Sequence, residues 1–140
     1  MQICLIGEDD AALERIVRAP LVASFLLQVS ADVLRGFGFD HPMGGEDWGG
    51  GFHDINPATL TRERILEFLG RVDPEAILAV VPHGTPKQVA HTIKSYVDAG
   101  LRVPKILDYA TMAGLEFSAA SAANVRRTED ELLTLCGGQS

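Results

Sequence analysis

Two short runs, Gln2–Ile6 and Val103–Leu107, are apolar almost throughout and lie nearly a chain's length apart. A strand with one wet face alternates polar and apolar residues. A continuous apolar run expects cover on both faces, as in a parallel sheet packed between helices. Against these two strands the sequence offers five or six helices. Two strands alone leave two open edges and little area for that many helices to cover, and their mutual pairing closes a very long loop. The chain therefore reads as α/β and helix-rich, and as a section of a larger parallel-sheet domain. It would lack that domain's N-terminal part, or complete its sheet with another chain or a second copy of itself.

The clearest helix follows Val80-Val81. Thr85 is placed to cap it, Pro86 suits its first position, and Gln88 stands where a capping box has its second member. Val89, Ile93, Tyr96 and Val97 then make one apolar stripe, and Gly100 stands where a helix turns left-handed to stop. Val103–Leu107 follows, completing the helix-then-strand half of a β/α unit. Elsewhere, Glu8, Asp9 and Asp10 open a helix over Leu13, Ile16 and Val17, which Pro20 breaks. Leu21 to Leu34 reads as a second helix, with Leu21, Phe25, Val29 and Val33 aligned. Thr61 caps a helix with Ile65, Leu66 and Leu69 inward, and Asp73-Pro74 opens a short one. Ser118–Ala123 is an Ala/Ser-rich tail, after which Thr128 and Glu131 form a capping box for a last helix. This divides the chain into a domain over 1–115 and a tail over 116–140.

Residues 36–58 are irregular. Seven of the 14 glycines fall between Gly36 and Gly51, and so long an aperiodic stretch reads as a functional loop. Trp48 and Phe52 within it are candidates to cover an apolar substrate, or to pin the loop to the fold.

The formal net charge of −7 argues against a nucleic-acid surface. Cys4 and Cys136 have no motif around them and read as reduced thiols. No basic leader precedes an apolar core at the start, and Ala19–Val29, interrupted by Pro20, Ser24 and Gln28, falls short of a membrane span. A soluble cytoplasmic protein is expected. His41, His53, Asp54 and His91 match no familiar metal-ligand spacing, so no metal site is assigned. There is no nucleophile elbow, dinucleotide fingerprint or phosphate-binding P-loop.

The ordered set from Val81-Pro82-His83-Gly84-Thr85-Pro86-Lys87-Gln88 through Tyr96-Val97-Asp98-Ala99-Gly100-Leu101 to Val103-Pro104 resembles the C-terminal region of the luciferase-like oxidoreductases. Arg18-Ala19-Pro20, His41-Pro42-Met43-Gly44, Leu60-Thr61-Arg62-Glu63 and Ala113-Gly114 extend the likeness to the deazaflavin-dependent, phthiodiolone ketoreductase-like branch. The resemblance implies the C-terminal section of a TIM barrel, with Gln2–Ile6 and Val103–Leu107 as its seventh and eighth strands. It implies hydride transfer between reduced coenzyme F-420, or alternatively FMN, and a carbonyl or alcohol carbon of a small molecule. Most of the coenzyme's contacts would come from upstream strands, so the isolated chain is not expected to perform this chemistry.

Barrel active sites lie at the carboxyl ends of the strands. That makes Asp108 and Tyr109 the candidates to polarise or protonate a substrate oxygen, with a turn-capping carboxylate beside a packed tyrosine as the structural alternative. His83, Gly84 and Thr85, ahead of a helix N-terminus, are weak candidates for an anionic part of the coenzyme; a plain helix cap competes. The rival function is a non-enzymatic binding or assembly module that uses open sheet edges and the glycine-rich loop.

Overall fold

The computed structural model describes residues 1–44 and 60–137. In chain order they form β1 (Gln2–Ile6), α1 (Asp10–Val17), α2 (Pro20–Ala23), a 3-10 turn (Ser24–Gln28), α3 (Ala31–Gly36), α4 (Arg62–Leu69), α5 (Pro74–Val80), β2 (His83–Gly84), α6 (Pro86–Asp98), β3 (Ile106–Asp108), a second 3-10 turn (Tyr109–Ala113) and α7 (Leu115–Gly137). The chain divides into two compact units, one of Met1–Val22 with Val81–Ser140 and one of Ala23–Val80.

The first unit holds a three-stranded parallel sheet in the order β2-β1-β3. The parallel pairing of the two expected strands is present, with Ile3 opposite Leu107 and Cys4 opposite Asp108. Two details differ from expectation. The second strand is Ile106–Asp108, because Pro104 removes a donor and pairing begins only where Gln2 N–H donates to the Lys105 carbonyl at 2.7 Å. A third strand, only two residues long, lies on the other side of β1, where Leu5 and Gly7 donate to Pro82 and Gly84. So short a strand carries no periodicity to read. Full cover on both faces is met only by the second half of β1; Leu107 is 42% exposed and Val103 79%.

Behind the sheet, Cys4 and Ile6 pack with Val89, Ala90 and Ile93 of α6 and Leu132 of α7, and Ile106, Val125 and Leu135 border the cluster. The α6 boundaries follow the sequence. Thr85 and Gln88 form the full capping box, Pro86 takes the first position, and Gly100 follows the end at φ +108°. Tyr96 sits at the rim of the stripe rather than inside it.

The expected separate last helix over 128–135 is replaced by one helix of 23 residues, Leu115–Gly137. Its Ala-rich first half is itself strongly helix-forming. Thr128 is fully buried in mid-helix, donating its hydroxyl to the Asn124 carbonyl at 2.8 Å instead of capping. The 115/116 division drawn from the sequence falls in the first turn of this helix.

The expected helix over 21–34 is three short pieces, α2, the first 3-10 turn and α3, of which the last two lie in the second unit. Ser30 is extended and caps α3 through the Val33 amide, a local bond that competes with continuing the helix. Leu21 and Val33 are accordingly exposed, and Val22, Ala23, Leu26, Leu27, Ala31 and Leu34 are buried. Thr61 and Asp73 cap α4 and α5 as expected. In α4 it is Phe68 that is buried, flanked by the Arg64 and Arg71 guanidiniums, while Leu66 is exposed. No helix among the described residues is long and apolar enough to cross a membrane.

Candidate functional site

At the carboxyl end of β1 the chain leaves Ile6 through Gly7 and Glu8 into α1, and α7 begins nearby. Between them lies a cleft of about 210 Å³, lined by Ile6, Gly7, Glu8, Ala12, Arg15, Glu116, Phe117, Ala120 and Asn124. All of these belong to the first unit. Open parallel sheets place ligands beyond the carboxyl ends of their strands because the strand-to-helix turns there are free to vary. Arg15, on the last turn of α1, pairs with Glu116 and stacks over the Phe117 ring at 4.9 Å. These groups make one polar wall. Ile6, Ala12 and Ala120 make the wall apolar elsewhere. Asn124 is the deepest polar member, 3% exposed, and its Oδ1 has no hydrogen-bond partner.

Asp108 sits next to this cleft, at the end of β3 and 3% exposed. Its Oδ1 accepts from the Ile6 amide at 3.2 Å and from the Ala110 amide at 3.0 Å. The carboxylate thus continues the β1–β3 ladder by one side-chain bond and starts the turn that follows. Oδ2 is buried as well. Burial pushes the carboxyl above its ordinary range, while the Ser121 hydroxyl and the Ala110 and Ile6 amides work the other way. The direction of this shift, toward the neutral acid, is the one a proton donor needs. Tyr109 is half-buried and opens the turn.

Cys4 lies opposite Asp108 across the sheet. Burial first, and the Asp108 charge second, push its thiol up to about 12, whereas Cys136 is exposed. A thiol reacts through its thiolate. Ellman's reagent is therefore expected to label one thiol per native chain quickly and the second only when denaturant is added. Rapid labelling of both in the native state would show that Cys4 is not sealed in the core.

His83, Gly84 and Thr85 lie at the start of α6. The His83 Nδ1–H donates to the Val81 carbonyl at 2.9 Å, and Gly84 is part of β2. The Thr85 amide and hydroxyl both donate to Gln88 Oε1, at 2.8 and 2.9 Å. The cap thus uses the donors that an anion would need. Trp48, Phe52, His53 and Asp54 lie outside the described residues. Among the described residues no three His, Cys, Asp or Glu side chains converge as a metal site. His41 is buried, accepts from the Met43 amide at 3.2 Å, and is held below its usual pKa chiefly by burial.

The cleft residues Arg15, Glu116, Phe117 and Asn124 were not marked in the sequence. The readable signal was the helical spacing of Phe117, Ser121, Asn124, Thr128 and Leu132, a stripe whose polar members hide its continuity.

No family model and no solved structure matches the chain. It is 28% identical over 95 residues to the phthiodiolone/phenolphthiodiolone dimycocerosates ketoreductase of Mycobacterium kansasii, a stretch covering 68% of this chain and 25% of that protein. The proteins of the same name from Mycobacterium tuberculosis H37Rv and Mycobacterium bovis BCG are 28% identical over 96 residues, covering 69% of this chain and 25% of theirs. The chain thus spans about a quarter of the length of these curated relatives. It is distantly similar to a group of ketoreductases, which are oxidoreductases.

Proposed function

We propose that this chain belongs to an oxidoreductase that interconverts a carbonyl and an alcohol with coenzyme F-420 as the hydride carrier, FMN being the alternative. The similarity to the mycobacterial ketoreductases carries this reading. The cleft at the carboxyl end of β1 supports it by its position.

The coenzyme itself does not fit the described residues. A cleft of about 210 Å³ is below the roughly 300–1,000 Å³ of sites that enclose cofactor-sized ligands. Its one cation, Arg15, is already paired with Glu116. The donors ahead of α6 are taken by the capping box. We therefore assign coenzyme binding to polypeptide beyond these residues, further barrel strands or another chain. This chain's own part is to bind and orient the substrate.

Titration of F-420 and FMN, followed by absorbance and fluorescence, tests both halves. The 140-residue chain alone is expected to show no stoichiometric binding. Where the gene's reading frame continues upstream of Met1, the longer product is expected to bind F-420 and to oxidise its reduced form when a ketone is supplied. Tight binding by the short chain overturns the division of labour; an extended product inert toward both coenzymes overturns the oxidoreductase reading.

One observation favours a second reading. Leu107 on edge strand β3 and Val103 before it are exposed, as a non-enzymatic assembly surface would be. A defined complex in light scattering, from an extended product without coenzyme affinity, would select that reading.

A further inference from the structure

We infer that α7 is a dimerisation helix. It lies antiparallel against the α7 of a second copy of this chain, along an exposed heptad seam centred on two ion pairs between Arg126 and Glu129. The contact needs no coenzyme and lies on a different element from the β3 edge.

The inner face of α7 is occupied, since Ser121, Asn124, Thr128 and Leu132 are the residues it buries. The outer face is not. Ala119, Ala122, Arg126, Glu129, Leu133 and Cys136 are all exposed. They recur at alternating steps of three and four residues, the spacing of the a and d positions of a coiled coil. Leu115 stands one step earlier on the same line. Leu115 is 91% exposed and Leu133 70%. Apolar residues scattered singly over a surface need no partner, but these two fall on one seam with small and charged residues between them. The 23-residue helix is about 34 Å long at 1.5 Å per residue, room enough for three heptads.

The charges choose the partner and its direction. Arg126 and Glu129 lie at the middle of the seam, and neither has an ion pair among the described residues. A parallel second copy would set arginine against arginine and glutamate against glutamate, which repels. An antiparallel copy related by a two-fold axis between residues 127 and 128 sets each Arg126 against the partner's Glu129. A two-fold contact must complement itself, and this face does. The same register lays Leu133 on the partner's Ala122 and Cys136 on the partner's Ala119, the larger side chain against the smaller. A shift of one heptad brings Leu133 to the partner's Leu115, but it leaves Arg126 and Glu129 facing alanines, charges desolvated with nothing to offset them. The leucines and alanines supply the apolar burial, and the ion pairs fix the register.

Sedimentation equilibrium of the 140-residue chain tests this. A monomer–dimer equilibrium is expected. Glu129→Arg gathers four cations at the axis, and Arg126→Glu four anions; each is expected to weaken the dimer at least tenfold, with the circular dichroism spectrum unchanged. An equimolar mixture of the two variants is expected to restore the dimer to within threefold of the parent, as a heterodimer, a recovery that a damaged fold would not show. A second measurement reads the register without altering the charges. The thiol introduced by Ala119→Cys is expected to crosslink to the partner's Cys136 under diamide at least tenfold faster than the parent crosslinks, because the parent's two Cys136 thiols lie about 25 Å apart along the seam at 1.5 Å per residue. A chain that stays monomeric at every concentration overturns the inference. So does a dimer unmoved by either charge reversal, a mixture that fails to reassociate, or crosslinking no faster with Ala119→Cys than without it.

Discussion

Asp108→Ala is expected to lower the unfolding free energy by about 2–4 kcal/mol, measured by urea denaturation. The alanine leaves the Ile6 and Ala110 amides without the acceptor they share, and a buried donor left unmade costs about 1–3 kcal/mol. Relief of the desolvated carboxylate offsets part of that sum. Asp108→Asn retains an acceptor oxygen and removes the charge, so its cost is expected to be well under half that of alanine. The two variants also differ in pH dependence. The folded carboxyl titrates above its ordinary value of 3.8, so the folded state binds more protons than the unfolded state across that interval. Its contribution to stability is complete below the unfolded value and is lost as pH rises through the folded one. The Asn variant has no such loss. Its stability relative to the parent should therefore rise from pH 4 upward until Asp108 is ionised. A flat difference would mean that Asp108 is no more buried than an ordinary surface acid.

Gly84→Ala is expected to cost about 2–4 kcal/mol in the same measurement. Residue 84 has φ +126°, where a side chain is strained, and a new Cβ would lie 2.7 Å from Gln88 Oε1 and 2.9 Å from Gln88 Cβ. Backbone strain of this kind runs at about 1–3 kcal/mol. Displacing Gln88 also dismantles the α6 capping box, worth about 1 kcal/mol more. Gly84 further accepts the Gly7 amide at 3.0 Å, so the disturbance reaches the sheet. Gln88→Ala alone should cost about 1 kcal/mol, and the double variant should cost less than the two singles together, because the Oε1 clash is then gone. Strict additivity would show that the new methyl does not meet Gln88.

The parts of the fold that were legible in the sequence are those set by short-range chemistry. Thr61, Asp73, Thr85, Pro86 and Gln88 each act within one helical turn, and each sits in the structure where its residue type places it. What was not legible depends on distant partners. The helix expected over 21–34 has a plausible stripe, but Ser30 offers its own cap, and Leu21 and Val33 end up exposed. β2 exists only because β1 offers it two donors. The last helix was misplaced because Thr128 satisfies the capping pattern equally well from inside a helix, where its hydroxyl turns back to Asn124. The same misplacement hid the cleft, since α7 supplies Glu116, Phe117, Ala120 and Asn124 to it. The strand-end position of Asp108 could be read in advance; its ties to Ile6 and Ala110 could not.

The central place of β1 bears on how this protein is made. Both neighbours of β1 come from beyond residue 81, after the whole Ala23–Val80 unit has been synthesised. Within these residues Ile3, Cys4, Leu5 and Ile6 gain their strand partners only from segments that follow α5, so the sheet is built from contacts distant in sequence, the kind that slow folding.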